Sequence, residues 1–141
     1  MLRAMPRSLV YEVIAAYGDA ALRLKRAGLD GVEFLASQGQ LSAQFLNPHV
    51  NQRIDEYGGN FDNRLRFVKE VIADIRAKVG DFVIGFRISA TEQDTTGIDE
   101  TRASDICEAL DVPDGVDYFS VVTGTSASLG GSIHIGTTDG F

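Results

Sequence analysis

Three short runs of β-forming residues recur along the chain, at 32–35, 82–89 and 116–122, and a helical apolar stripe precedes each of them. The resulting order is α-β-α-β-α-β. Short strands separated by helices imply a parallel sheet covered by those helices. The first stripe is Leu9, Val10, Val13, Ile14, Tyr17, Ala20, Ala21 and Leu24, with Ser8 as the expected N-cap and Gly28 as the stop. The second helix is expected over 63–78, carrying Leu65, Val68, Val71, Ile72 and Ile75 toward Val79, and Gly80-Asp81 closes it. Asp99 is the expected N-cap of a third, which carries Ala103, Ile106, Cys107 and Leu110 and ends before the turn Pro113-Asp114-Gly115. The helix-to-strand turns are short and the strand-to-helix loops long. In parallel α/β folds the functional face lies at the strand C-terminal ends, where the long loops fall.

The longest of these loops, 36–62, holds a short helical pattern at 41–46 and is punctuated by Pro48 and Gly58-Gly59. A polar loop follows at 91–97. The tail, 123–141, is rich in Gly, Ser and Thr and has no usable period. No GxGxxG follows a strand and no GxxxxGK[ST] is present, so neither a dinucleotide fold nor a P-loop has motif support.

With 141 residues, 44% of them hydrophobic, the chain suits a single domain that buries a core without staples. Thirteen Lys and Arg against 20 Asp and Glu leave a net charge of −7, which argues against a nucleic-acid or anionic-membrane surface. The single cysteine, Cys107, excludes an intrachain disulfide and a multi-cysteine metal site and favours a reducing, cytoplasmic setting. No apolar run approaches the ~18 residues of a membrane span, and the basic start lacks the apolar segment of a signal peptide.

Arg87 is the outstanding charge, set in the apolar strand Phe82-Val83-Ile84-Gly85-Phe86-Arg87-Ile88-Ser89. Strand alternation puts Val83, Gly85, Arg87 and Ser89 on one face and Ile84, Phe86 and Ile88 on the other. A buried guanidinium left unpaired would cost roughly 3–5 kcal/mol. Two readings follow, and both can hold: an ion pair with Glu33 of the preceding strand, or a site for an anion or polarisable ring. The loop from Asn47 to Gly59 reads first as a surface loop held by its own hydrogen bonds. His49 and His134 have no spaced metal partner, Cys107 sits at a core-facing position, and Ser126 and Ser128 lack a neighbouring base.

The run Ala27-Gly28-Leu29-Asp30-Gly31-Val32-Glu33-Phe34, then Gln44-Phe45-Leu46-Asn47-Pro48, Asn51-Gln52-Arg53-Ile54-Asp55-Glu56-Tyr57-Gly58-Gly59 and Asn63-Arg64, resembles the FMN-dependent Old Yellow Enzyme family. That family includes enoate reductases, 2,4-dienoyl-CoA reductases, trimethylamine dehydrogenase and N-demethylating enzymes. Gly85-Phe86-Arg87-Ile88-Ser89 matches as well, and the similarity covers about 8–124.

The resemblance implies an α/β fold, a partial (β/α)₈ TIM barrel. About three parallel strands with covering helices, roughly the fourth to the sixth of eight, would make 1–141 a single incomplete segment. It implies FMN as cofactor, a small organic substrate and NAD(P)H as reductant. It also implies that the loop from Arg53 to Gly59 is a structural element beside the site. The strands of the phosphate site would be missing, so weak or absent FMN binding is expected of this chain alone. Self-association, or the missing barrel half, would relieve its open sheet edges. The rival reading is a non-catalytic α/β module acting by such association.

Arg87 matches the arginine that lies against the pyrimidine side of the flavin in relatives, where its charge favours the reduced form. Enone-reducing relatives carry two donors, His and His or Asn, that grip the substrate carbonyl oxygen. The matching positions here are Leu35 and Gln38, of which only Gln38 can donate, so Gln38 is the candidate catalytic residue. Gln40 stands where a proton-donating tyrosine often follows. Ser120 stands where amine dehydrogenases carry an aspartate. These departures point to an altered substrate such as an N-methylated amine, or to lost activity.

Overall fold

The computed structural model describes residues 4–92 and 97–124. The elements are α1 (Arg7–Arg26), β1 (Gly31–Ala36), α2 (Leu41–Leu46), α3 (Phe61–Val79), β2 (Val83–Thr91), α4 (Glu100–Leu110) and β3 (Tyr118–Thr123). The three strands form one parallel sheet in the order β1-β2-β3. That is the expected α/β architecture, and the expected short helix at 41–46 coincides with α2. Among the described residues, no helix is long and apolar enough to cross a membrane. The tail, 123–141, lies almost wholly outside the described residues, as do His134, Ser126 and Ser128.

Local signals account for most helix ends. Gly28, at φ +87°, lets the chain leave α1 through a left-handed turn, with Gly28 N–H bonded to Lys25 C=O and Leu29 N–H to Leu24 C=O. Asn60 caps α3 by accepting from Asn63 N–H, and Asp99 caps α4 by accepting from Arg102 N–H. The start of α1 corrects the sequence reading. Pro6 holds the N-cap position in extended backbone, and Ser8 lies inside the helix without capping it. Proline tolerates a helix start because its missing N–H would have no partner there. The buried stripe of α1 is also narrower than expected: Val10, Ile14, Gly18 and Ala21 are buried, whereas Leu9 and Leu24 are exposed at its margins.

The core lies on one side of the sheet. Phe34 and Ala36 of β1 and Ile84, Phe86 and Ile88 of β2 are buried there, with α1 and α2 against β1 and α4 against β2. Phe67 of α3 stacks on Phe45 of α2, ring centroids 4.2 Å apart, and meets Tyr17 of α1 edge-on. Tyr17 in turn stands edge-on to Phe34 at 5.0 Å, which links the helix layer to the sheet.

Arg76 of α3 fastens the bottom of the sheet. Its guanidinium donates to the carbonyls of Phe82 and Gly115 and pairs with Asp117 at 2.7 Å. Asp117 also accepts Ile84 N–H at 2.7 Å, so it joins the starts of β2 and β3 and delays β3 until Tyr118. The Ile84 N–H, and then Arg76, hold the Asp117 carboxyl below the usual carboxylate range. Arg53 does the same to Asp55. Carboxyls depressed on folding contribute stability above their ordinary value of ~3.9, and lose it as pH falls through the lower folded values. Thermal scans should therefore give a constant midpoint between about pH 5 and 7 and a steep fall below about pH 4. Asp117→Asn should flatten part of that fall; an unchanged acid limb would contradict the assignment.

Candidate functional site

The face of the sheet opposite the core carries the polar residues. Glu33 and Leu35 of β1, Gly85, Arg87 and Ser89 of β2, and Tyr118 and Ser120 of β3 share it by alternation and register. Two rows cross the strands: Glu33, Gly85 and Tyr118 in one, Leu35, Arg87 and Ser120 in the next toward the strand C-terminal ends.

Arg87 lies on this face, with Ile88 turned to the helices, as alternation requires. Its Nε lies 2.7 Å from Glu33 Oε1 as an ion pair and donates its hydrogen to Ser120 Oγ at 3.2 Å. The expected ion pair is therefore present. The expected burial is not: 41% of the Arg87 side chain is exposed, because no described element covers this face. At that exposure the pair is worth at most about 1 kcal/mol, and the cost of a buried lone charge does not arise. Among the described residues, the two terminal nitrogens of Arg87 have no hydrogen-bond partner. A planar cation held through Nε, with two amino groups open toward the sheet's C-terminal end, fits a ligand carrying ring carbonyls or an anionic edge.

Leu35 sits beside Arg87 on β1 and is exposed. Gln38 lies two residues beyond the end of β1, half-buried, at φ +54°. Its backbone N–H donates to Ser89 Oγ at 3.2 Å, and that buried hydroxyl donates to Gly124 C=O at 3.2 Å. One serine thus joins the C-terminal ends of all three strands and holds Gln38 in a left-handed conformation that few side-chain-bearing residues adopt. Gln40 is exposed.

The loop of 47–60 turns its polar groups inward on itself and onto the helices. Asn51 Nδ2 donates to the carbonyls of Phe45 and Tyr57, each at 2.7 Å. Arg53 forks onto Asp55 and donates to Met5 C=O, and Tyr57 OH donates to Glu70 at 2.6 Å. Gly58 passes so close to Arg53 C=O that a Cβ there would lie 2.2 Å from it. These contacts are those of a self-braced loop, the reading made from composition. His49 is exposed, and burial pushes the half-buried Cys107 thiol up. Among the described residues no group of His, Cys, Asp and Glu is placed to hold a metal.

Two features escaped the sequence reading. Glu92, just past β2, is buried and accepts from Asn47 Nδ2 at 2.6 Å and Ile98 N–H at 3.0 Å, joining two loops above the sheet. A charge next to a loop carries no local sign of burial. Tyr118 lies across Gly85 and donates to Glu33 Oε2 at 3.2 Å. The signal for it was present: a glycine inside a strand marks close approach by a neighbour.

Residues 1–118 match the model of the NADH:flavin oxidoreductase / NADH oxidase family. The chain is 41% identical over 114 residues to N,N-dimethylglycine/sarcosine dehydrogenase of Chromohalobacter salexigens, covering 80% of this chain and 16% of that protein. It is 38% identical over 127 residues to a probable N-methylproline demethylase of Rhizobium meliloti, covering 86% and 19%. The structure of a 2-naphthoyl-CoA reductase in complex with 2-naphthoyl-CoA superposes with a TM-score of 0.79 at 34% identity, covering 87% of this chain and 19% of that one. The chain thus spans under a fifth of each of these proteins, as a segment of a TIM barrel does.

Proposed function

The chain belongs to the NADH:flavin oxidoreductase / NADH oxidase family, and from that membership we propose that it is the central part of an FMN-binding barrel whose whole enzyme takes hydride from an N-methylated amine. The observation that carries the choice of substrate is Leu35, an aliphatic side chain beside Arg87 on the open face, at a position where enone-reducing relatives place a donor. Two relatives named for N-methylated amino acids agree with it. Bound FMN would supply hydride acceptance.

Arg87 is the residue that would hold the pyrimidine edge, through the terminal nitrogens that no described residue uses. Gln38 would line the substrate side, steadied by Ser89. Hydride lost from an N-methyl carbon leaves an iminium, so no oxyanion forms and no donor pair is needed. Hydride delivery to an enone places charge on oxygen, where each missing donor costs about 10²–10³ in rate. A nicotinamide is the second redox partner of this reading, consistent with the family description.

In the whole enzyme, anaerobic N-methylated amino acids should bleach the flavin absorbance, and 2-cyclohexenone should reoxidise it poorly. Leu35→His with Gln38→Asn should raise the enone rate by about 10²-fold or more. Rapid reoxidation by cyclohexenone, with no bleaching by any methylamine, would overturn the reading.

Among the described residues β1 and β3 each pair on one side only, so the rest of the barrel has to come from outside them. The chain by itself should therefore bind FMN poorly. Calorimetry showing sub-micromolar affinity for the isolated chain would count against this placement.

A further inference from the structure

We propose that Tyr118 is a positioning residue for Arg87: by occupying one oxygen of Glu33, it keeps the carboxylate from gripping the guanidinium with both, and so leaves both terminal amino groups of Arg87 open to a ligand. The role rests on the reading of Arg87 as the cofactor-facing cation.

An arginine and a carboxylate on adjacent strands ordinarily settle into a fork, two parallel N–H···O bonds that use both oxygens. Here no such fork is present. Glu33 Oε1 stands 2.7 Å from Arg87 Nε as an ion pair, with no N–H of Arg87 bonded to the carboxylate, while Oε2 accepts the Tyr118 hydroxyl at 3.2 Å. Tyr118 stands two strands from Glu33 and reaches it only by lying across β2. Gly85 is the intervening residue in register, and a Cβ there would lie 2.1 Å from Tyr118 Cζ. The missing side chain is what opens the path. Ser120, two residues along β3 from Tyr118, accepts the Arg87 Nε–H. The two β3 side chains thus act together, one holding Nε and the other occupying the free carboxylate oxygen. Burial and the adjacent Glu33 charge raise the Tyr118 phenol, so the hydroxyl remains a donor at neutral pH.

The test compares Tyr118→Phe with the parent in two settings. In the chain itself, nitrogen-15 NMR of the Arg87 guanidinium reads its pairing without any flavin. The parent should show a slowly exchanging Nε–H with freely rotating terminal groups. Tyr118→Phe should slow that rotation, as Glu33 takes up the fork, and Glu33→Gln should speed exchange of the Nε–H. Tyr118 is partly exposed, so loss of its hydroxyl leaves the core intact. Gly85→Ala, which displaces the ring, should reproduce the Tyr118→Phe spectrum. In the flavin-loaded whole enzyme, Tyr118→Phe should lower the midpoint potential in the same direction as Arg87→Ala and by less. An Arg87 spectrum unchanged by Tyr118→Phe overturns the proposal. So does a potential that moves in Arg87→Ala but not in Tyr118→Phe. A potential that moves in neither variant would instead overturn the assignment of Arg87 to the cofactor on which the proposal rests.

Discussion

Replacing Phe67 by alanine should lower the stability of the chain by about 3–5 kcal/mol, the range for emptying a buried aromatic site. Phe67 has no exposed surface and sits where α1, α2 and α3 meet, stacked on Phe45 and edge-on to Tyr17. These two neighbours hang from separate elements, α2 and α1, so the hole cannot close by moving one side chain. Small domains hold only ~5–15 kcal/mol in total, and this one has an uncovered sheet face, so the loss should unfold a large share of the molecules. Urea titration followed by circular dichroism measures it: the midpoint should fall with the slope unchanged. Phe67→Leu, which keeps most of the volume, should cost less than half as much. A drop below about 1 kcal/mol for the alanine variant would mean that the helices close over the gap, contrary to this packing.

The second large effect is expected at Asn51, through polar chemistry alone. Asn51→Asp keeps the shape of the side chain and its acceptor for Arg53 N–H, but removes the Nδ2 group that serves Phe45 C=O and Tyr57 C=O. Asn51 is buried, so both carbonyls lose their donor with little access to water, at about 1–3 kcal/mol each, and an anion now faces them. The variant should be destabilised by roughly 2–5 kcal/mol at pH 7. The penalty should shrink toward pH 4, because the protonated acid regains one donor. The pH dependence separates this cause from a general loss of packing; a penalty constant between pH 4 and 7 would contradict it. The same experiment tests the account of the loop as a brace, since limited proteolysis should then cut first within 47–60.

How much of this was legible beforehand depends on the range of the interactions. The helices, their stops and the three strands followed from periods and caps, which act over a turn or two. Gly28 and Asp99 lie within a few residues of what they stabilise. The pairing of Arg87 with Glu33 followed from alternation plus charge, because two neighbouring parallel strands leave few other partners. Ser8 misled because a serine near a helix start is the stronger local sign, whereas the backbone before it was already set by Pro6.

The sequence by itself determined the α/β order, the family, and which face of β2 Arg87 occupies, since all three are carried by patterns along the chain. Only the tertiary structure decided that this face is open, that Ser89 ties three strand ends together, that Glu92 is buried against Asn47, and that Tyr118 crosses Gly85 to reach Glu33. Those facts depend on register and on what packs above the sheet. They join residues as far apart as Glu33 and Tyr118, whose meeting is set by β2 lying between them.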